Sequence, residues 1–415
     1  MGVVVMLEWS ESDLLVRDTV REYLEKEVRP RLDELEHGDL PPYDLIRGLW
    51  RSFGIDALAR ETFAGMLAAE RSRSRGERRT GGPTGIGGAE QAGMIMLAVA
   101  EICRMSMGMV STVGVSLGLC AGTIMSRGTP EQKERWLLDL LTFDKVGAWA
   151  ITEPDAGSDA FGGMKTTVTP RGDGYLLKGQ KTFITNGPDA DTLVVYAKLD
   201  DGTGVPPRGR PVLAFVLDRG MDGLTQSRPF RKMGMHSSRT GALFFDDVFL
   251  EPDRLLGGIG GLSDGRASAR ANFTMERLGV GAMSLGVIEE CLRLSVDYAR
   301  TRELWGQKIA EFQLIQLKLA RMEVARLNVQ NMVFRAVEQL RAGRQPTLAE
   351  ASAVKLYCSE AAAEVAMEAV QLFGGNGYMS EYRVEQLARD AKSLMIYAGS
   401  NEVQVTHIAK DLLTR

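Results

Sequence analysis

The sequence predicts a multidomain α+β chain in which helices, then strands, then helices follow one another, divided at residues 1–146, 147–260 and 261–415. Three observations predict it. The first unit carries helix punctuation: Leu14, Leu15 and Val16 lead into a charged helix expected to end near Pro30, and Thr129-Pro130-Glu131-Gln132 has the form of an N-cap, an N1 proline and a first-turn acid. The middle holds three short β-prone runs, 193–197, 212–217 and 242–245, separated by Gly- and Pro-rich turns such as 206–209, which means a small β domain. From about Ala267 the helical period returns. Val287, Cys291, Leu294 and Tyr298 trace one stripe, Leu314, Leu317, Arg321 and Val324 continue a long helix, and Pro346 and Gly374-Gly375 break the run. A chain of 415 residues exceeds one simple core and fits two or three domains.

Composition narrows the function classes. Lys+Arg 50 against Asp+Glu 54 leaves a formal net charge of -4, so no whole-protein attraction to nucleic acid or acidic membranes is expected, while a small polyanion can still be held locally. Cys103, Cys120, Cys291 and Cys358 lie far apart, without the paired spacing of zinc or redox sites, and are expected as reduced, packed thiols of a cytoplasmic protein. His37, His236 and His407 are isolated from one another and from any cysteine cluster, so no metal centre is predicted. The start, Met-Gly-Val-Val-Val-Met-Leu-Glu, is too short for a signal h-region and has Met6 where a myristoylation signal needs Ser or Thr; neither export nor an anchor is expected.

Two stretches carry competing readings. Between Arg104 and Arg127 no residue is charged, and Gly114, Gly118 and Gly122 repeat at the small-xxx-small spacing of membrane helix pairs. Ser106, Ser111, Thr112, Ser116 and Thr123 leave it only moderately apolar, so the expectation is a buried helix of a soluble bundle, with no integral membrane association. The basic, Gly-rich stretch from Arg71 through Arg73, Arg75, Arg78 and Arg79 to Gly88 is expected to be an exposed loop, with phosphate binding as its alternative role.

The most chemically suggestive segment is Trp149-Ala-Ile-Thr-Glu-Pro-Asp-Ala-Gly-Ser-Asp159, where an apolar run gives way to a turn suited to gripping a cofactor. Pro154 rigidifies the bend, Gly157 removes a side chain that would hold a ligand off, and Thr152 and Ser158 supply hydroxyls beside free amides. An ordinary polar turn has the same composition. No Gly-x-Gly-x-x-Gly opens a helix after a strand, and neither a Gly-x-Ser-x-Gly elbow nor a Gly-Lys-Ser phosphate loop is present, so nicotinamide, serine-hydrolase and P-loop chemistry are not supported. The Gly257-Gly-Ile-Gly-Gly261 run reads as a flexible turn.

That segment resembles the first signature of the acyl-CoA dehydrogenase family, and Gln371-Leu-Phe-Gly-Gly-Asn-Gly-Tyr378, with Glu381 and Arg389-Asp390 beyond it, resembles the second. Between them Lys181-Thr-Phe-Ile-Thr-Asn-Gly187, Lys232-Met-Gly-Met-His-Ser-Ser238 and Arg302-Glu-Leu-Trp-Gly-Gln-Lys308 follow in the family's order. The resemblance implies a β-barrel-like middle domain, a C-terminal four-helix bundle and non-covalent FAD held between them. Carried over residue by residue, Trp149, Ile151 and Thr152 edge the flavin, Gly157 and Ser158 reach pyrophosphate or substrate, and Phe183, Ile184 and Thr185 close the other side. Phe183 stands where a tryptophan is usual, which keeps an aromatic wall and loses an indole donor. Arg302, Gln313, Gln371 and Gly375 match positions that bind a neighbouring subunit's FAD, and Gly374, Ser400 and Glu402 match further FAD-binding positions. The uncharged helix corresponds to one that lines the acyl tunnel, with Val113 and Gly114 setting depth and Met105, Ser106, Met107 and Gly108 forming an adaptable wall.

The implied chemistry needs a carboxylate to remove an α-proton from an acyl thioester while the β-hydrogen leaves as hydride. The family's commonest position for it precedes Gly399, where this chain has Ala398. Isovaleryl-CoA and long-chain type members carry the glutamate earlier, in a motif ending Glu-Arg, and Thr274-Met275-Glu276-Arg277 matches that location; Glu276 is the expected base. The resemblance gives the Ala398 amide a place against the thioester oxygen beside Gly399, and Arg277 a place near the CoA moiety. Gln386 departs from a basic position of the second signature, which puts a subunit or FAD-supporting contact in doubt.

The expected function is a homotetrameric, FAD-dependent acyl-CoA dehydrogenase that makes a trans-2-enoyl-CoA and passes electrons to an electron-transferring flavoprotein. The alternatives are a non-catalytic partner subunit, which Ala398 keeps open, and a flavin oxidase or monooxygenase on the same fold.

Overall fold

Ser10 starts the first helix of the computed structural model, which describes residues 8–74, 91–258 and 265–414. Its hydroxyl accepts from Asp13 N at 3.2 Å and its own N–H donates to the Asp13 carboxylate at 3.1 Å, a reciprocal cap on α1 (Glu11–Tyr23). The helix does not end at Pro30. A π-helical turn (Leu24–Val28) and a 3-10 turn (Arg29–Arg31) carry the chain on into α2 (Leu32–Glu36), because a proline in the first turn of a new helix forfeits no bond that the turn would have made. After α3 (Tyr43–Ser52), α4 (Ile55–Ser74) holds Arg71, paired with Glu134 at 2.6 Å. The basic loop therefore starts later than expected, and its remainder from Arg75 to Gly88 lies outside the described residues.

After α5 (Ala92–Met105), α6 (Met107–Val113), a π-helical segment (Gly114–Ala121) and α7 (Gly122–Arg127) form the uncharged stretch, which ends at Arg127. By length and composition Met107–Arg127 could cross a membrane, yet most of it is buried inside the fold. α8 (Pro130–Leu141) begins as its sequence predicts: Thr129 Oγ1 accepts from Gln132 N, and Gln132 Oε1 accepts from Thr129 N.

The middle unit is one curled, mixed seven-stranded sheet of β1 (Gly147–Ala150), β2 (Thr167–Arg171), β3 (Gly174–Thr185), β4 (Thr192–Leu199), β5 (Val212–Asp218), β6 (Leu224–Gln226) and β7 (Thr240–Leu250). The path runs β1-β4-β2-β3-β7-β6, with β5 also on β4; β1 and β2 lie parallel to β4 and the remaining pairs are antiparallel. Both faces of β4 are buried. Leu193 and Val195 pack with Phe215, Leu243 and Val248 on one side, while Val194 and Tyr196 meet Trp136, Leu137 and Leu140 of α8 on the other. Two register shifts interrupt β3 against β7, and the second, between Lys181 and Ile184, becomes important at the site.

α9 (Arg266–Thr301), a short hairpin of β8 (Glu303–Leu304) and β9 (Gln307–Lys308), then α10 (Gln313–Arg341), α11 (Leu348–Phe373), α12 (Val384–Leu394) and α13 (Asn401–Thr414) complete the chain. Pro346 lies between α10 and α11, and Gly374, at φ +62°, ends α11 in the left-handed region that favours glycine. Val287 and Cys291 are fully buried, but the α10 stripe turns outward: Leu314 is 74% exposed and Val324 58%.

Candidate active site

The strand β1 delivers the cofactor-gripping turn to the edge of the sheet. Trp149 and Ile151 are buried there; the indole packs edge-on against Tyr196 and Phe273, and its Nε1 donates to Thr123 Oγ1 at 3.2 Å. Just beyond, Glu153 and Lys181 form a buried ion pair of 2.9 Å, and Lys181 Nζ also donates to the Ile151 carbonyl at 3.0 Å. The backbone amides of Lys165 and Thr166 donate to the same Glu153 carboxylate at 2.6 and 3.0 Å. Burial works to raise the Glu153 carboxyl, but Lys181 and these hydrogen bonds outweigh it and hold it below the usual range. Burial pushes the Lys181 ammonium down to about 8 against the pull of Glu153.

This pair fixes the bulge of β3. Thr182 N donates to the Thr152 carbonyl at 2.9 Å, and the next residue, Phe183, swings into the left-handed region at φ +57° with its ring 67% exposed, edge-on to Phe230 at 6.1 Å. A bulky residue at positive φ is a genuine outlier, held here by its neighbours. Thr152, Gly157, Ser158, Phe183 and Thr185 all keep accessible surface. A Cβ placed on Gly157 would meet nothing within 4 Å, so the turn faces open space.

Glu276 approaches from α9. Its side chain is half-buried and keeps some accessible surface. Burial pushes its carboxyl up to about 7 despite Arg277 and Lys355 nearby. Facing this helix is the turn before α13, where Ala398 (φ +56°) and Gly399 (φ +82°) are both left-handed. Arg277 Nε reaches the Ala398 carbonyl at 3.4 Å, and its Nη1 reaches Ser352 Oγ at 3.1 Å and His407 Nδ1 at 3.3 Å. Burial, then Arg277, lowers His407, which favours the neutral ring whose Nδ1 accepts from the guanidinium. Tyr397, next to the turn, sets its phenol 3.6 Å from Met283 Sδ; burial drives that phenol well above the usual range, with Cys103 and the Glu276 carboxylate adding to the effect.

Models of the acyl-CoA dehydrogenase family match in three consecutive pieces, the N-terminal domain at residues 79–144, the middle domain at 148–248 and the C-terminal domain at 263–413. The chain belongs to the acyl-CoA dehydrogenase family. An acyl-CoA dehydrogenase of Bacillus subtilis is 35% identical over 97% of this chain and 98% of its own length. The solved butyryl-CoA dehydrogenase of Megasphaera elsdenii superposes with a TM-score of 0.82 at 32% identity, covering 98% of this chain and 100% of that one. A glutaryl-CoA dehydrogenase of Mycobacterium smegmatis in complex with FADH2 gives 0.81 at 25% identity, over 98% and 95%. Acyl-CoA dehydrogenases are oxidoreductases, and the cofactor of this member is FAD.

The residues fit that cofactor. Besides the open space over Gly157, an added Cβ at Gly374 or Gly375 would meet nothing within 4 Å, and Gln371, Gly374 and Gly375 are exposed together at the end of α11. Arg302 is exposed at the end of α9 and Gln313 at the start of α10, close in sequence to Trp305, 88% exposed, and Leu314. Ser400 immediately precedes α13, and Glu402 is exposed in its first turn.

Several expectations of the acyl-CoA dehydrogenase resemblance change on this structure. Ile184 is buried in the sheet core, so only its backbone is available at the opening. Arg277 is buried, and its guanidinium is committed to Ser352, His407 and the Ala398 carbonyl rather than to a free ligand surface. Met105, Ser106 and Met107 are packed core residues, and a Cβ on Gly108 would stand 2.1 Å from Ser237 Oγ, so this wall is fixed rather than adaptable. Gly114 and Gly118 are exposed to open space. Gln386 is buried and donates to Asp390 Oδ2 at 3.4 Å, inside the bundle rather than on a subunit surface. Among the described residues no group of acids, histidines and cysteines is placed to hold a metal.

Sequence reasoning missed two positioning groups in this acyl-CoA dehydrogenase. The Glu153–Lys181 pair is one; the other is Asn186, left-handed at φ +63°, whose Nδ2 donates to the Thr112 and Gly147 carbonyls and ties the helical unit to β1. The available signal was an Asn before Gly187 at the end of a β-prone run, a pair that favours positive φ.

Proposed function

We infer that this protein oxidises an acyl-CoA thioester to its trans-2-enoyl-CoA, with Glu276 as the base. The observation that carries the reading is Glu276 itself: a carboxyl pushed up to about 7, on the helix that faces a turn whose Ala398 lacks a side chain able to take a proton. A base whose affinity for protons lies near the working pH is suited to abstraction, because a substantial fraction is ionised and the group still holds the proton once taken. Exclusion of water by the surrounding protein strengthens this effect.

Bound FAD supplies the acceptor for the β-hydrogen as hydride. The chain's own residues do the remainder. Trp149, Thr152 and Phe183 shape the opening, the Ala398 N–H lies against the thioester oxygen and stabilises the charge that develops there, and Glu276 takes the α-proton onto its carboxylate. Gly114 and Gly118 leave room along the π-helical segment for the acyl chain. Electrons leave for an electron-transferring flavoprotein. A homotetramer accounts for the apolar surface of α10 and places Arg302, Gln313 and Gln371 against a neighbouring subunit's cofactor. Four free, buried cysteines are in keeping with a reducing cytoplasm.

The test is anaerobic bleaching of the protein's flavin by short, branched, long and ring-bearing acyl-CoAs, followed by reoxidation with oxygen or with an artificial acceptor. Rapid bleaching with slow reaction towards oxygen is the expected result. Rapid peroxide formation would mean an oxidase, and no bleaching by any member of the panel would favour a non-catalytic partner subunit.

A further inference from the structure

We propose that Gln404 is a positioning residue that holds the turn at 398–400 so that the N–H donors of Gly399 and Ser400 join that of Ala398 in facing the acyl thioester. The proposal rests on the reading of this turn as the thioester contact. Gln404 lies in the first turn of α13 and is fully buried. Its Nε2 donates to three consecutive carbonyls, those of Ala398 at 3.2 Å, Gly399 at 2.6 Å and Ser400 at 3.4 Å. Arg277 Nε adds a second tie to the first of them.

The amides of the same turn behave in the opposite way. Among the described residues the N–H groups of Ala398, Gly399 and Ser400 donate to nothing, whereas Tyr397 N and Asn401 N, on either side, are bonded to Ser393 and Met395 carbonyls. In a trans peptide the N–H points away from its carbonyl, so drawing the Ala398 and Gly399 carbonyls onto Gln404 turns the Gly399 and Ser400 amides to the other side. Successive amides freed by a left-handed turn form a concave donor set that suits a negatively charged oxygen. Such donors stabilise developing charge only where they are already oriented, and one buried side chain orients the Gly399 and Ser400 donors here.

The glycine beside it belongs to the same device. A Cβ on Gly399 would stand 2.8 Å from Gln404 Nε2, and φ +82° is unfavourable for any other residue, so Gly399 makes room for the amide that holds it. Gln404 touches carbonyls of the turn and acts through them. Glu276 remains the proton acceptor.

The experiment compares wild type with Gln404→Met, which keeps the volume and removes the donor, and uses Gly399→Ala as a second route to the same displacement if the first variant fails to fold. Holoenzyme is titrated with acetoacetyl-CoA, whose acidic α-carbon gives an enolate visible in the ultraviolet, and kcat and KM are measured alongside. The proposal predicts that Gln404→Met retains FAD and lowers kcat about 10- to 100-fold with little change in KM, while the pH midpoint of enolate formation moves up by about one unit. A variant with the wild-type enolate midpoint, whatever its kcat, makes Gln404 merely structural and overturns the proposal alone. A wild type that forms no enolate overturns the thioester reading of the turn as well.

Discussion

Arg277 Nε lies 3.4 Å from the Ala398 carbonyl, so the residue after Glu276 on α9 holds the turn that Glu276 faces. Proton acceptor and turn are thereby built as one unit, although 121 positions separate Arg277 from Ala398 in the sequence. Ala398→Glu would place a second carboxyl beside the helix that carries Glu276, and one of the two would stay protonated through mutual repulsion.

The rate of flavin reduction should rise with pH through a midpoint of about 7, since burial raises the Glu276 carboxyl and only the ionised form accepts a proton. The stability consequence has the opposite slope. A folded-state value above the unfolded one means that the native protein binds more protons between the usual carboxylate range and about 7, so this contribution is intact at low pH and is lost as pH rises through that window. Glu276→Gln should therefore be more stable than wild type above pH 8, by about 1–3 kcal/mol, and equal to it in acid. Denaturant titrations at both ends of the window check the sign.

Lys181→Met should be among the most damaging single changes outside the cavity. It strands the Glu153 carboxylate in the interior, at a cost of about 3–5 kcal/mol, and releases the bulge that holds Phe183. Thermal unfolding and FAD retention report the two effects, and adding Glu153→Gln should recover part of the stability.

The helix-strand-helix order was legible because each unit announced itself locally, through the Thr129-Pro130 cap, the 193–197 and 212–217 runs, and the breaks at Pro346 and Gly374. Glu276 and Ala398 were legible through motif position. What the sequence does not carry is direction. Lys181 reads as a surface lysine in a β-prone run, and only the burial of Glu153 opposite makes it a core cation. Arg277 reads as a ligand-facing cation because its motif borders the base, whereas the packing of α9 on α11 turns it inward. Pro30 reads as a stop because a π-helical turn before it has no sequence signature of its own.

A triple change of Leu314, Leu317 and Val324 to glutamate should reduce the molecular mass measured by light scattering. These side chains are 74%, 47% and 58% exposed along one face of α10, and burying three carboxylates in a contact between copies is prohibitive. FAD should dissociate with the subunits. Retention of full mass would place the contact elsewhere.

Gly157→Val should weaken FAD binding with little effect on folding, because the added side chain projects into open space that the cofactor needs rather than into the core. Apoprotein reconstitution gives the affinity, and an unchanged unfolding curve for the apoprotein excludes a packing defect.

The central claim is that Glu276 removes the α-proton, and stopped-flow reduction of the FAD-bound protein without oxygen, wild type beside Glu276→Gln, tests it most directly. With an acyl-CoA that bleaches the wild type, the account predicts a variant that keeps its flavin, binds the thioester and is slower by about 10²–10⁴-fold. A variant that bleaches at the wild-type rate would contradict it and move the base to another group.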